Sequence, residues 1–355
     1  MKREIWKGCE AIAEAAIRAG CRAYFGYPIT PQNELPEYMS SHMPAAGGVF
    51  VQSESELAAI NMVYGAAATG VRAMTSSSSP GISLKQEGIS YMAAVELPGV
   101  IVNVMRGGPG LGSIQPSQCD YYQATRGGGN GDYRTLTLAP LNIQEAVDLM
   151  FDAFDLADLY RNPVMVLADG LIGQMMEPIV WKEHPKRELP EKTWAAAGRK
   201  GRGHNNFLTS LLIKAEDCEA HNLHLAEKYK AMEEKECRWE EIELDDAELI
   251  FVAYGTPARI AISAIENLRK HGIKAGIFRP ITLWPFPSRQ LKKLVERPQV
   301  KLVLDLELCL GQMLDDVNLA VEGCKPVRFY GRTGGSIPTV SEIEAAAQKF
   351  WEEVK

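Results

Sequence analysis

Arg22-Ala23-Tyr24-Phe25-Gly26-Tyr27-Pro28-Ile29-Thr30-Pro31 decides the fold. Residues 22–25 read as a short strand, residues 26–31 as a loop whose two prolines fix its backbone, and a helix is expected to begin near Pro31 or Gln32. Strand, rigid loop and helix start together make a ligand-facing edge. Upstream, Ile12, Ala15, Ala16 and Ala19 fall at helical spacing between Trp6 and Gly20, with Gly20 placed to end that helix.

Downstream the alternation continues. Residues 49–52, 71–75, 100–105, 135–138 and 163–168 are mostly apolar strand candidates, and 54–70, 83–95 and 143–159 are helices between them. Strands that are continuously apolar, rather than alternating, predict a mostly parallel sheet covered on both faces. Residues 1–176 are therefore expected to form one α/β domain. Residues 177–244 change character, with charge-rich runs at 182–188 and 227–241, and read as a linker with one helix near 216–230. A smaller α/β unit without a clear internal repeat is expected over 245–355, starting from the strand at 248–253 and the helix after Gly255-Thr256-Pro257.

The chain has 355 residues and a formal net charge of -7, which argues against a binder of nucleic-acid backbones. No run approaches the roughly 20 uninterrupted apolar residues of a membrane span, and Met1 to Trp6 lacks an apolar stretch of the kind that follows a secretory start. A cytoplasmic protein is expected. The seven cysteines are scattered without a Cys-x-x-Cys pair, so neither a disulfide framework nor an iron-sulfur cluster is expected on this chain alone.

Three loops after strands carry the candidate chemistry. Arg106-Gly107-Gly108-Pro109-Gly110-Leu111-Gly112-Ser113 fits neither a dinucleotide fingerprint nor a Walker A loop, and reads either as a plain turn or as a loop lining a ligand. In Gln52-Ser53-Glu54-Ser55-Glu56, Ser53 is a candidate cap for the following helix, and both carboxylates suit its positive end. Thr75 to Gly81 is a polar loop to which the sequence attaches no mechanism. In a parallel sheet Thr30, Glu54 and Arg106 open onto one edge, and this convergence makes them the candidate site.

At this point the sequence resembles the alpha chains of 2-oxoacid:ferredoxin oxidoreductases, especially those acting on 3-methyl-2-oxobutanoate. The resemblance covers essentially the whole chain. It rests on Gly26-Tyr27-Pro28-Ile29-Thr30-Pro31, on Gln52-Ser53-Glu54, and on Glu96-Leu97-Pro98-Gly99-Val100 leading to Arg106-Gly107-Gly108-Pro109. Pro285-Phe286-Pro287 and residues 306–313 extend it into the second domain. Two departures stand out: Gly8-Cys9 where such chains often have Gly-Asn, and Leu308-Cys309-Leu310 in place of a Met-Asn-Met or Met-Asn-Leu type of sequence.

The resemblance implies a thiamine-diphosphate pyrimidine-type domain followed by a transketolase C-terminal-like domain. It implies oxidative decarboxylation of a branched-chain 2-oxoacid to its acyl-coenzyme A, with ferredoxin as electron acceptor. Glu54 is then the residue on the pyrimidine ring, with Tyr27, Pro28 and Ile29 beside the cofactor. Arg106 holds the substrate carboxylate, for which a guanidinium fork is suited. Thr30 bonds near the carboxylate or oxo group, or alternatively caps the helix after it. Glu56 is implied to be helix surface or a support behind Glu54. Gly131-Asp132-Tyr133 is not the family's metal-diphosphate signature. Magnesium, diphosphate binding and iron-sulfur clusters are therefore expected on partners: a beta subunit, gamma and iron-sulfur subunits, and ferredoxin. Alternatives are the same subunit acting on 2-oxoglutarate or an aromatic 2-oxoacid, an NAD-linked relative, and an inactive scaffold. In the second domain, Gly255-Thr256-Pro257 reads as a helix start or, alternatively, as a turn approaching a ligand, and Tyr330 to Gly335 as a surface turn or a phosphate loop.

Overall fold

The computed structural model describes residues 2–185, 187–199 and 201–355; Lys186 and Lys200, both in the stretch read as linker, lie outside the described residues. Its strands are β1 (Glu4–Lys7), β2 (Ala23–Gly26), β3 (Val49–Gln52), β4 (Ala73–Ser77), β5 (Gly99–Met105), β6 (Leu136–Leu138) and β7 (Pro163–Asp169). They continue with β8 (Met176–Ile179), β9 (Trp239–Ile242), β10 (Leu249–Val252), β11 (Ala275–Pro280), β12 (Thr282–Trp284), β13 (Leu302–Glu307) and β14 (Val327–Gly331). Seven strands make one sheet in the order β12-β6-β7-β5-β4-β2-β3, parallel except for β12. Five make a second in the order β14-β13-β10-β11-β9, parallel except for β9.

The central strands β5 and β7 are buried at every position, so both faces of the first sheet need cover. One face is closed by α1 (Gly8–Arg18), α2 (Glu34–His42) and a later helix at Ile143–Tyr160, through Ile12, Leu35, Met39 and Phe154. The other is closed by α3 (Glu56–Ala68) and α4 (Pro80–Val95), through Ile60, Ile89 and Met92. That second core runs on without a break to Ile250 and Phe278 of the second sheet. The chain itself stitches the sheets: it leaves β11 at Pro280 and enters β12 of the first sheet at Thr282. Arg279, only 3% exposed, adds a two-pronged ion pair to Glu145 across this junction.

Several local expectations shift. Trp6 is not in the first helix but in β1, which pairs antiparallel with β8; α1 starts at Gly8, where a Cβ would overlap the Ile172 carbonyl. The helix expected near Pro31 or Gln32 starts at Glu34, because the amide of Gln32 first closes a turn on the Ile29 carbonyl, 3.1 Å away. The helix expected from Ser83 starts three residues earlier with Pro80 in its first turn, a position where a missing N–H costs nothing. The helix in the 177–244 stretch runs over Ala215–Lys235, and the same stretch supplies β8 and β9, the latter an edge strand of the second sheet.

The C-terminal ends of β2, β3, β4, β5 and β7 lie along one edge, as their registers show: Gly26 opposite Gln52, Ser77 opposite Asn103, and Met105 opposite Asp169. The corresponding edge of the second sheet faces it. Gln118 spans the gap, donating from its backbone to the Leu308 carbonyl (3.1 Å) and from Nε2 to the Tyr254 carbonyl (2.9 Å), and accepting from the Leu308 amide (2.9 Å). The start of the helix at Gly255–Lys270 docks on the same edge: the backbone and hydroxyl of Thr256 both donate 2.8 Å bonds to Asp169.

Candidate active site

Thr30 and Arg106 meet directly. Arg106 follows β5, is 8% exposed, and sends Nη1 to the Thr30 carbonyl (2.9 Å) and Nη2 to the Leu111 carbonyl (3.0 Å). The guanidinium thus clamps the loop after β2 to the glycine-rich loop after β5. Its Nε is buried and has no partner among the described residues, so one donor of the fork stands unused. An unsatisfied buried donor is costly, and a carboxylate bound side-on would satisfy it.

The Thr30 hydroxyl does not cap α2. It accepts a long 3.5 Å bond from Asn33 Nδ2 and lines a cavity of about 320 Å³ shared with Pro31, Ile114 and Leu171. Cys9 lies beneath this loop, buried, its thiol 3.8 Å from the Pro31 carbonyl: a weak contact where an asparagine would make a stronger one. Tyr27 and Pro28 are exposed at the tip, and Ile29 is half-buried.

Glu54 follows β3 on the neighbouring strand and is exposed, with no hydrogen bond to its carboxylate among the described residues. Ser53 before it is not the helix cap; the cap of α3 is Ser55, whose hydroxyl accepts from the Ala58 amide at 3.1 Å. Ser53 instead ties the Glu54 loop to the root of the Tyr27–Thr30 loop, its amide and hydroxyl both reaching the Gly26 carbonyl at 2.9 and 3.0 Å. The distribution of burial is the reverse of the surface alternative for Glu56: that residue is 7% exposed, packed against Gly81 and Lys85. Burial pulls the Lys85 ammonium down to about 8, against the opposing pull of Glu56.

The polar loop 75–81, without a role in the sequence reading, joins the site. Ser79, at the end of this loop, bonds Arg106 through its hydroxyl (3.0 Å from the Arg106 amide). The signal missed was spacing in space rather than in sequence, since Ser79, Asn103 with Arg106, and Asp120 come from three separate segments. The second domain also reaches the edge. Gly334 packs on Gly107 and Gly335 on Gln115, so the segment read as a surface turn or phosphate loop braces the glycine-rich loop instead. Cys309 is buried, its thiol donating to Glu307 Oε2 at 2.9 Å. Among the described residues no group of three or more His, Cys, Asp or Glu side chains is arranged to hold a metal ion, and no helix is long and apolar enough to cross a membrane.

Comparison with known proteins bears on this geometry. Residues 14–243 match the family model described as pyruvate flavodoxin/ferredoxin oxidoreductase, thiamine diphosphate-binding, and residues 247–343 match pyruvate:ferredoxin oxidoreductase core domain II. The ketoisovalerate oxidoreductase subunit VorB of Methanothermobacter marburgensis is 49% identical over 97% of this chain and 96% of its own length. The 2-oxoglutarate synthase subunit KorA of Methanocaldococcus jannaschii is 36% identical over 98% of this chain and 99% of its own. The solved 2-oxoglutarate:ferredoxin oxidoreductase from Magnetococcus marinus superposes with a TM-score of 0.87 and 26% identity; 99% of this chain is covered, and this chain spans 65% of that one. A split-gene transketolase, at 13% identity and a TM-score of 0.62, shares the fold.

Proposed function

The chain belongs to the pyruvate flavodoxin/ferredoxin oxidoreductase family, and from that premise we propose that it is the pyrimidine-binding subunit of an oxidoreductase that converts a branched-chain 2-oxoacid to its acyl-coenzyme A with ferredoxin as acceptor. The observation that carries the reading is the Arg106 guanidinium: fixed on the Thr30 and Leu111 carbonyls, with a buried Nε that has no partner among the described residues.

The residues present fit the pyrimidine half of thiamine diphosphate. Glu54 offers a carboxylate with no hydrogen-bond partner among the described residues, at the same strand edge as Arg106 and on the loop that Ser53 ties to the root of the exposed Tyr27 loop. When bound, the cofactor supplies the nucleophilic carbon and the electron sink for decarboxylation. Glu54 would hold the pyrimidine through a carboxyl hydrogen bond, favouring one tautomer once the site is closed from water. Arg106 holds the substrate carboxylate, and the Thr30 hydroxyl orients the group beside it. Tyr27, Pro28 and Ile29 wall the ring.

Diphosphate, magnesium and iron-sulfur clusters fall to partner chains in this reading. A partner surface is available: α3 and α4 leave Leu57, Met62, Leu84 and Tyr91 substantially exposed beside the Glu54 loop, an apolar face of the kind that docks a subunit. The substrate assignment follows the 49% identical ketoisovalerate relative over the 36% identical 2-oxoglutarate one. Co-expression with the neighbouring-gene products, followed by a viologen-coupled assay with coenzyme A, tests it. The expected preference is 3-methyl-2-oxobutanoate over 2-oxoglutarate; a preference for 2-oxoglutarate overturns the substrate, and full activity from this chain alone overturns the shared site.

A further inference from the structure

Arg106 is held from behind by a closed ring of buried polar groups. Its backbone N–H donates to Ser79 Oγ (3.0 Å), Ser79 Oγ donates to Asp120 Oδ2 (2.5 Å), and Asn103 Nδ2 donates to the same oxygen (2.9 Å). Asn103 Oδ1 closes the ring by accepting from the Ser79 amide (3.1 Å). All four residues are at most 8% exposed, and they come from the junction of β4 and α4, the middle of β5 and the residue after it, and the segment after the glycine-rich loop. An asparagine in the centre of an otherwise apolar, fully buried strand is explained by this ring alone: both of its amide atoms are spent on it.

Ser79 is also strained. Its backbone sits at φ +20° and ψ -78°, outside the conformations an L-residue ordinarily populates, at the junction of β4 and α4. Strain of this kind persists where surrounding contacts over-determine the backbone, and it gathers at functional sites. Here the contacts are explicit: the amide is pinned by Asn103 and the hydroxyl by Asp120 and Arg106. A serine free to relax would carry the Arg106 amide with it.

We propose that Asp120, with Ser79 and Asn103, is a positioning residue for Arg106: its carboxylate oxygen fixes the Ser79 hydroxyl, and through it the backbone from which the guanidinium reaches over the Thr30 loop. This rests on the reading of Arg106 as the holder of the 2-oxoacid carboxylate. The ring touches neither substrate nor cofactor. It sets where the fork stands, and a fork shifted by a fraction of an ångström loses the side-on geometry that a carboxylate needs. Away from the ring, the hydrogen-bond partner of Asp120 Oδ1 among the described residues is the Cys119 thiol, 3.7 Å away. One oxygen therefore does the positioning, and an asparagine can supply it.

The test uses the reconstituted complex with 3-methyl-2-oxobutanoate as probe. Asp120→Ala is expected to raise KM for the oxoacid roughly tenfold with a much smaller change in kcat, and Asp120→Asn to restore most of the loss. Asp120→Ala combined with Arg106→Ala is expected to be no worse than Arg106→Ala alone, because residues acting through one another are non-additive. Unchanged KM in Asp120→Ala, or multiplicative losses in the double variant, overturns the proposal while leaving Arg106 in place. Should Arg106→Ala itself leave KM unchanged, the substrate-holding reading falls, and this proposal with it. Ser79→Ala, which removes one hydroxyl and no backbone, carries the same comparison if Asp120→Ala does not assemble.

Discussion

The two halves of the candidate site are built to different standards. Around Arg106 the chain is closed: a buried guanidinium on two carbonyls, a ring of buried polar groups behind it, and the second domain braced against the loop in front. Around Glu54 it is open: an exposed carboxylate, an exposed tyrosine, and an apolar helical face with nothing on it. Under the proposed function, the difference follows from what each half has to hold. A carboxylate substrate needs a charge fixed in advance, because reorganisation during binding is lost affinity. A group shared with another chain needs access until that chain arrives. In the proposed function, Arg106 is finished within this chain and Glu54 by assembly.

Glu54→Gln gives the largest expected effect. It removes the proton-carrying group and leaves a shape nearly unchanged, so proton exchange at the reactive carbon of the cofactor should fall by at least about 10²-fold in the assembled complex. Because Glu54 is exposed and unpaired, the unfolding free energy should stay within about 0.5 kcal/mol of the parent. Unchanged exchange would remove Glu54 from the chemistry; a large loss of stability would break the contrast with Arg106.

Arg106→Ala should act on both properties. Oxoacid KM is expected to rise about a hundredfold with kcat less affected, as steady-state kinetics will show. Unlike Glu54→Gln, it should also destabilise the chain by about 1–3 kcal/mol, since the Thr30 and Leu111 carbonyls lose their charged donor. A denaturant titration that finds no such cost would mean the clamp forms only with substrate. Next in size, Leu57→Asp with Leu84→Asp should weaken capture of the partner subunit by about tenfold or more while leaving the melting temperature unchanged, both side chains being roughly half exposed. Tight assembly in that variant would move the partner away from this face.

The anchor residues of both halves were legible in sequence. Thr30, Glu54 and Arg106 each sit just after a strand, and strand ends in a parallel sheet share an edge, so a local reading was enough to collect them. The apolar runs of β5 and β7 announced themselves within a residue or two of their bounds. What escaped depends on long-range pairing. The strand at Glu4–Lys7 exists because of Met176–Ile179, and Trp239–Ile242 because of β11, neither having a period of its own long enough to read. The ring behind Arg106 joins residues 17 to 41 positions apart, and a serine in a polar run looks like any connector until Asp120 is seen beside it. Ser53 and Ser55 show the limit at short range too: both suit a cap, and only the paired geometry of β2 and β3 spends Ser53 on Gly26.

The smallest expected effect probes how completely the Arg106 half is sealed. Burial pushes the Asp120 carboxyl above its ordinary range, against the hydrogen bonds of Ser79 and Asn103 and the charge of Arg106, which pull the other way. With the folded value raised, the folded chain keeps this proton to higher pH than the unfolded chain does. Between the two values it binds more protons, and stability from this group falls as pH rises. Asp120→Asn removes the titration and leaves an oxygen for the same two donors. In denaturant titrations from about pH 4 to about pH 7, the parent should therefore lose stability relative to Asp120→Asn as pH rises, by less than about 1.4 kcal/mol per pH unit, with no further divergence once the carboxyl is ionised in both states. A difference between the two that stays constant across that range would mean solvent reaches Asp120 as freely as it reaches Glu54, and the contrast between a sealed and an open half would not hold at Asp120.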